Sequence, residues 1–268
     1  MKEITKITSR NNQSLIHARK VRDGKERLQM FIEGRRLVGE ALSSGLVIDE
    51  CFVSDDFRDA EMLDAVSQRT DRIVQIPTRI FSSIADTDQS QGIILLAQRP
   101  AALAEQIEAR LGISSLQVVV FLKEINNPSN LGAVLRTAEA AGVAGVIVST
   151  NSADVFSPKA LRAAMGASFR LPVWDNADFD DALRWAKARE LITTAADASA
   201  VSSYTDIDWK TPRLLILGSE AHGLSVDELA SIDQAIKIPM ENSVESLNLA
   251  VSAGTILFEA KRQNDIVH

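Results

Sequence analysis

Apolar runs and amphipathic segments alternate along the chain and predict two α/β domains in succession. In the first part, the pattern predicts strands at 30–34, 47–54, 72–77 and 91–100, and helices at 35–45, 60–69 and 78–84. In the second part, it predicts strands at 117–122, 145–149, 191–196, 213–218 and up to Pro239, and helices at 128–141, 158–166, 178–189 and from about Leu247. Continuous Val, Ile and Leu runs between helices are typical of a parallel sheet covered on both faces. We therefore expect one domain at 1–100, a linking helix and turn at 101–115, and a second domain at 116–268.

Composition narrows the class of protein. The chain has 268 residues, of which 46% are apolar and 24% charged, as in ordinary globular proteins. Its single cysteine, Cys51, excludes a disulfide framework, and three scattered histidines are too few for a metal cluster. No apolar run approaches the roughly 20 residues that span a bilayer, and no secretory signal follows the first Met. We expect a cytosolic or organelle-matrix protein, with the cytoplasm preferred, that needs neither a membrane nor a metal.

Charge is unevenly distributed along the chain. The formal net charge is −7, yet residues 1–40 hold ten basic and five acidic residues. A basic arm on an acidic body favours local docking to a polyanion. The candidate contacts are Arg19, Lys20, Arg22, Arg35 and Arg36, although the first three would also fit the solvated face of a helix.

Common cofactor and hydrolase motifs are absent from the sequence. No GxGxxG follows a predicted strand, and Gly218 and Gly223 have phosphate-loop spacing without the lysine that reaches phosphates. No GxSxG nucleophile elbow occurs either. Dinucleotide enzymes, P-loop NTPases and serine hydrolases are therefore excluded.

The first segment with candidate chemistry is NNPSNLGAVLRTAEAAG, which starts at Asn126. Asn127 and the following proline form a good helix start. Leu131, Val134, Leu135 and Ala138 share one helical face, whereas Asn130 lies at its margin and Arg136 on the opposite side. Because packing does not require them, Asn130 and Arg136 could take part in catalysis or binding. Alternatively, they are a polar residue at the edge of the apolar face and a solvent-exposed arginine without a functional role.

Two further segments end predicted strands with polar turns. In LLILGSEAHGLS, Gly218 ends a buried strand and Glu220 offers a carboxylate, at the kind of strand end where α/β proteins bind ligands. In IPMENSVESLNLAVSAG, Ser246 and Asn248 open the last helix, whose N-terminus suits an anion. The same residues also fit a plain turn and a helix cap that have no functional role.

Taken together, in this order and spacing, the three segments resemble the three motifs of the SpoU (TrmH-type) RNA ribose 2′-O-methyltransferases of the SPOUT superfamily. The segment VFSPKALRAAMGASFRLPV between them also resembles that family, so the similarity runs over 117–261. The N-terminal part, with Glu33-Gly34 and the helix after it, is similar to the accessory substrate-binding domain of the family, whose small α/β fold is shared with some ribosomal proteins. One departure is Asn127, where the family commonly has Asp.

The resemblance implies a trefoil-knotted methyltransferase domain that binds S-adenosylmethionine, and a homodimer whose sites are shared between subunits. It implies cofactor contacts at Gly218, Ile238 and Leu247. It also implies that Arg136 assists removal of the ribose proton, that Asn130 and Glu220 position Arg136, that Ser246 contacts RNA phosphate, and that Asn248 orients the catalytic loop. The expected substrate is ribosomal RNA, most plausibly of the large subunit. A tRNA methyltransferase and a non-catalytic RNA-binding assembly factor are the alternatives, and a role in antibiotic resistance is left open.

Overall fold

The chain divides into two compact units. The structure is a computed structural model that describes residues 4–219, 222–242 and 246–265. The first unit comprises Met1–Ala101 together with Phe156–Arg170, and the second comprises Ala102–Val155 with Leu171–His268. The segment Phe156–Arg170, which lies inside the stretch predicted as the second domain, is thus part of the first unit.

Strands and helices alternate through both units. The strands are β1 (Thr5–Lys6), β2 (Gln29–Glu33), β3 (Ile48–Ser54), β4 (Ile73–Ile76), β5 (Ile93–Gln98), β6 (Leu116–Leu122), β7 (Val143–Ser149), β8 (Val173–Ala177), β9 (Ile192–Ala196), β10 (Ser202–Ser203), β11 (Arg213–Leu217) and β12 (Gln234–Lys237). The helices are α1 (Gln13–Arg22), α2 (Arg35–Ser43), α3 (Ala60–Ser67), α4 (Thr78–Phe81), α5 (Ala104–Glu108), α6 (Pro128–Ala141), α7 (Pro158–Ala164), α8 (Ala167–Arg170), α9 (Phe179–Ala188), α10 (Val226–Ala230) and α11 (Leu249–Asp265).

The sheet of the first unit is mixed, with the strand order β1-β4-β3-β5-β2. β1, β4 and β3 run parallel, but β5 pairs antiparallel with both β3 and β2. The expectation of a wholly parallel sheet is therefore wrong for this unit. The apolar run of β5 is continuous because both of its faces are buried, and burial on two faces does not determine strand direction.

The sheet of the second unit is parallel throughout, with the order β10-β12-β9-β11-β6-β7-β8. β11 pairs on one side with β6 and on the other with β9, although β9 precedes it in the chain. This insertion brings the carboxyl ends of β9, β11 and β12 to one edge of the sheet. The parallel sheet predicted from the sequence is confirmed in this unit.

The predicted apolar face of α6 packs into the core of the second unit. Leu131, Val134, Leu135 and Ala138 are all fully buried. Asn127 caps the helix, since its side-chain oxygen accepts a hydrogen bond from the Ser129 N–H at 2.9 Å. The predicted start and apolar face of α6 thus agree with the structure.

Several short elements were not predicted, and one boundary differs. β1, β8, β10, α8 and α10 span five residues or fewer, too few to show a period of either 2 or 3.6. The last helix begins at Leu249 rather than Leu247, because Asn248 accepts a hydrogen bond from the Ala250 N–H and so occupies the capping position. No described helix is long and apolar enough to cross a membrane.

We expect Asn127→Ala to lower the free energy of unfolding of the second unit by about 1 kcal/mol, because it removes the cap of α6. Asn127→Asp keeps an acceptor and adds a negative charge at a helix N-terminus, so it is expected to preserve or slightly raise stability. Urea unfolding followed by tryptophan fluorescence measures this, since Trp174, Trp185 and Trp209 all lie in that unit. The control is Asn11→Ala, an exposed asparagine whose side chain makes no hydrogen bond among the described residues. Equal stabilities of the two alanine variants would contradict the capping role.

Candidate active site

The main cleft of the second unit opens where β9 and β11 end and α11 begins. It has a volume of about 670 Å³ and is lined by the ends of β9 and β11, by the start of α11 and by Asn130 of α6. A smaller side cavity of about 120 Å³ lies next to it and shares residues 196–198, Ser246 and Leu247 with it. The strand order therefore gathers segments that are far apart in sequence into one site, at the sheet edge where α/β proteins bind ligands.

Gly218 lets the backbone turn sharply at the end of β11. A Cβ atom at this position would lie 2.5 Å from the carbonyl carbon of Gly223, which is closer than van der Waals contact allows. The turn is closed by two backbone hydrogen bonds, from the Ser219 N–H to the Gly223 carbonyl and from the Gly223 N–H to the Ser219 carbonyl. Only glycine fits at 218 without moving this turn, and Gly218 also lines the main cleft.

Asn248 connects the third motif to the first. Its Nδ2 donates to Oδ1 of Asn130 at 3.1 Å, while its Oδ1 accepts from the Ala250 N–H at 2.9 Å. The same side chain thus caps α11 and fixes the amide of Asn130 at the wall of the main cleft. These two residues, 118 positions apart, were predicted from separate motifs and lie in hydrogen-bond contact.

The remaining predicted cofactor contacts lie along the same edge. Ile238 lines the side cavity, and Leu247 lines both cavities with 38% of its surface exposed. Ser246 is exposed and also lines both cavities. An apolar flank beside a polar helix start suits a ligand that has both an apolar and a polar part.

Arg136 is not among the described residues that line the cleft. Arg136 is exposed on α6, and no hydrogen bond or ion pair of its side chain is found within residues 4–219, 222–242 and 246–265. It follows Asn130 by six residues, so at 100° per residue it points about 120° around α6 from Asn130. Glu220 lies outside the described residues.

Asp197 and Ser199 line the main cleft and were missed from the sequence. They follow β9, and the Asp197 carboxylate accepts hydrogen bonds from the backbone N–H and the hydroxyl of Ser199. The sequence contains a signal that could have identified Asp197, because this acidic residue directly follows the predicted strand at 191–196. Of the described residues, Asp197 is the only charged one that lines the main cleft.

A half-buried ion pair supports the turn next to the cleft. Lys123, directly after β6, lies 2.8 Å from Glu228 of α10, and Glu228 also accepts from the Ser225 N–H in a capping box. Burial favours a raised pKa for Glu228, but the hydrogen bonds from Lys123 and Ser225 outweigh it and hold that pKa below its usual value. The pair ties the segment after Gly223 to the end of β6.

The predicted RNA contacts lie in the first unit. Arg19 donates to the backbone carbonyl of Arg10 at 2.8 Å, and Arg10 donates to that of Arg79 at 3.2 Å. We call Arg10, Arg19 and Arg79 the arginine cluster. None of the three has a carboxylate partner among the described residues, and Arg10 and Arg79 were missed because they lie 69 residues apart.

The other predicted basic contacts differ in their surroundings. Arg22 is paired with Asp23 at 2.9 Å and donates to the carbonyls of residues 83–85, whereas Lys20 and Arg36 are exposed. Arg35 is exposed but forms an ion pair with Asp59. Within the described residues, no group of three or more His, Cys, Asp or Glu is arranged to hold a metal ion.

Comparisons with known proteins match both units. Residues 117–258 match the model of the SpoU rRNA methylase family, and residues 12–95 match the MRM3-like substrate binding domain. The chain is 30% identical to "23S rRNA (guanosine(2553)-2'-O)-methyltransferase RlmP" of Bacillus subtilis, over 95% of this chain and 98% of that protein. It is 29% identical to "rRNA methyltransferase 3A, mitochondrial" of Danio rerio over 88% of this chain, which spans 64% of that longer protein.

Comparison with solved structures agrees with the comparison of sequences. The crystal structure of AdoMet-bound rRNA methyltransferase from Sinorhizobium meliloti superposes with a TM-score of 0.85 at 27% identity, covering 97% of this chain and 98% of that one. The mixed α/β architecture with an N-terminal substrate-binding domain predicted from the sequence is thereby confirmed. With one family model matching more than half of its length, the chain belongs to the SpoU rRNA methylase family.

Proposed function

We propose that this protein transfers the methyl group of S-adenosylmethionine to a ribose 2′-hydroxyl of ribosomal RNA. The observation that carries the proposal is the hydrogen bond between Asn248 and Asn130, which joins the third and first motifs at the wall of the main cleft. The relatives that align over nearly the whole chain, in both units, include one named for 23S rRNA. RNA of the large ribosomal subunit is therefore the favoured substrate, and tRNA is the alternative.

The main cleft fits S-adenosylmethionine. Its volume of about 670 Å³ is within the range of small-molecule sites, and Gly218, which the close approach of Gly223 requires to be glycine, lines it. Leu217, Ile238 and Leu247 provide an apolar flank, while Asp197 places a negative charge beside a cationic ligand. When bound, the cofactor supplies an electrophilic methyl group. Gly218, Ile238 and Leu247 would hold it.

Arg136 is proposed to hold the reacting part of the RNA. A guanidinium presents donors in a planar fork that matches a phosphate, and the exposed Arg136 has no carboxylate partner in the described chain to compete. It would bind the phosphate beside the target ribose and orient the 2′-hydroxyl for in-line attack. Guanidinium groups normally stay protonated, so direct acceptance of the ribose proton by Arg136 requires strong desolvation or help from the RNA phosphate.

The other predicted residues have supporting roles in this proposal. Asn130 and Asn248 fix the wall of the cleft through their mutual hydrogen bond, and Ser246, exposed at the start of α11, would contact an RNA phosphate. Glu220, outside the described residues, would position Arg136. None of these roles requires a metal ion.

We further propose a homodimer in which each active site takes Arg136 from the other subunit. Two observations support it. Arg136 points about 120° around α6 from Asn130 and does not line the cleft of its own chain within the described residues, and Val251 and Phe258 of α11 are 52% and 48% exposed although α11 packs along α6. A second copy would cover these apolar side chains.

The trefoil knot of the family and a cytoplasmic location remain proposals.

The arginine cluster is proposed as the first docking point for RNA. Three guanidiniums without carboxylate partners create a local positive field in a chain that is acidic overall. Arg19, Lys20 and Arg22 lie in the last turn of α1, and Arg79 lies in the short helix α4, positions where cations also interact favourably with a helix dipole. That explanation does not apply to Arg10, which precedes α1.

The proposed reaction and the role of Arg136 can be tested by measuring methyl transfer. The protein should transfer labelled methyl groups to unmodified 23S rRNA, and the product should resist alkaline hydrolysis at the modified nucleotide. Arg136→Ala should lose at least about 100-fold in kcat, the loss typical of one transition-state donor. Arg184→Ala, which removes an exposed arginine of the same unit, should keep full activity. Transfer to tRNA alone would favour the alternative substrate, and full activity of Arg136→Lys would contradict the role of the planar fork.

The second prediction tests the shared site. Gly218→Ala forces a Cβ into the turn at 223 and should abolish cofactor binding, measured by calorimetry, whereas Gly39→Ala, which meets no atom within 4 Å, should not. Mixing inactive Gly218→Ala with inactive Arg136→Ala should restore about a quarter of wild-type activity, since half of exchanged dimers are mixed and each holds one complete site. A mixture that stays inactive after subunit exchange, or an active monomer in sedimentation, would contradict the shared site.

The third prediction concerns RNA docking. Replacing Arg10, Arg19 and Arg79 with glutamine should weaken RNA binding and reduce the slope of log K against log salt by up to about 3. The same replacement of the ion-paired Arg72, Arg184 and Arg262 removes equal charge and should change the slope little. Equal slopes for the two triple variants would show that the cluster does not bind phosphates.

A further inference from the structure

We propose that a cleft in the first unit binds an unpaired RNA base and selects bases that carry an exocyclic amino group. The cleft has a volume of about 860 Å³. This inference rests on the proposed function, because it assumes an RNA substrate. The inferred site would read bases in the first unit, in addition to the electrostatic docking of RNA at the arginine cluster.

The cleft lies at one edge of the mixed sheet, where four strands have an end. β2 and β3 end there, β4 is followed there by α4, and β5 begins there because it runs antiparallel to β2 and β3. The cleft walls are therefore the turns after these strands and the loop 86–92 before β5. Gly92, with φ +75°, allows this loop to press close: a Cβ there would lie 2.4 Å from the Ser54 hydroxyl.

The loop 86–92 is fixed at both of its ends. At the beginning, the buried Glu33 accepts hydrogen bonds from the Asp86 N–H at 2.8 Å and the Thr87 hydroxyl at 2.7 Å. At the end, Gln91 accepts from the Arg35 N–H at 2.7 Å. The middle of the loop is therefore held in place without using its own side chains.

Those middle side chains, Asp88, Gln89 and Ser90, line the cleft and are available for a ligand. Asp88 and Gln89 are exposed, and no hydrogen bond of either side chain is found in the part of the chain that the structure describes. The Ser90 hydroxyl is shielded from solvent and also has no partner there. A hydroxyl in this situation gains a hydrogen bond when a polar ligand enters.

The chemistry of the walls favours a base over a phosphate. Four carboxylates (Asp56, Asp59, Glu61 and Asp88) and two arginines line the cleft. Arg35 is paired with Asp59, and Arg58 donates to the backbone carbonyls of Asp55 and Phe57. The acidic side chains thus outnumber the basic ones, and carboxylates repel phosphate oxygens. Carboxylates accept hydrogen bonds from amino groups such as N4 of cytosine, and amides such as that of Gln89 pair with base edges. Phe57, half-buried at the cleft wall, offers a ring on which an unstacked base can lie.

The test compares binding of two single-stranded RNAs, each about 10 nucleotides long, within the site sizes typical of such proteins. One is oligocytidine and the other oligouridine, which differ at position 4 of the base by an amino group or a carbonyl oxygen. The full-length protein is used as wild type, as Asp88→Asn/Gln89→Ala, and as the control Asp64→Asn/Gln68→Ala. The control removes an exposed acid on α3 and the exposed amide of the residue that follows the helix, both outside the cleft.

We expect the wild type and the control to bind oligocytidine about fivefold or more tightly than oligouridine, the weaker end of base-edge discrimination. In Asp88→Asn/Gln89→Ala, this ratio should fall to near one. Because loss of a negative charge raises affinity for every RNA alike, the ratio and not the absolute affinity is the decisive measurement. A ratio near one in the wild type, or a ratio unchanged in the cleft variant, would overturn the inference.

Methyl transfer separates this inference from the proposed function. With 23S rRNA as substrate, the cleft variant should show a raised KM and an unchanged kcat, because the cleft binds RNA away from the reacting atoms. If the wild type transfers no methyl group but shows the cytidine preference, the proposed function fails and the base-reading cleft stands. If methyl transfer proceeds and the cleft variant has unchanged KM and unchanged base preference, the cleft inference fails alone.

Discussion

The position of β11 between β6 and β9 is the constraint on which the candidate active site depends. β11 forms five-residue parallel pairings on both sides, and all of its residues are buried. The ends of β9 and β11, the turn at Gly218 and the start of α11 therefore converge on the main cleft, and the end of β12, the neighbour of β9, lines the side cavity next to it. The cleft is thus built by backbone pairing, with side chains added at its rim, and the absence of a Cβ at Gly218 allows the turn at its edge to close.

Around this sheet, a few polar side-chain contacts connect helices and strands that backbone pairing alone would leave unconnected. The amide of Asn248 both caps α11 and holds Asn130 of α6, so the start of one helix and the first turn of another are fixed by one side chain. Lys123 and Glu228 connect the end of β6 to α10 in the same way. Such satisfied polar contacts favour one arrangement of the segments over its alternatives, which a site made of several segments requires.

Local patterns explain how much of this was predictable from the sequence. The start and apolar face of α6 follow from Asn127, Pro128 and a 3.6-residue period, and those signals lie within one helix. The antiparallel direction of β5 depends on partners far away in the chain, which its own apolar run does not specify. The arginine cluster was only partly predicted for the same reason: Arg19 stood out in a basic segment, whereas Arg79 joins it only through tertiary structure.

A chain of net charge −7 can dock to RNA because charge acts over short distances in salt. At physiological ionic strength the screening length is about 8 Å, so an RNA phosphate near the arginine cluster senses those guanidiniums far more than the distant acidic surface. Acidic residues elsewhere would then limit non-specific coating of RNA, and in the proposed base-reading cleft carboxylates such as Asp88 would accept hydrogen bonds from base amino groups. Affinity from a few cations and selectivity from a few anions are therefore compatible within one small unit.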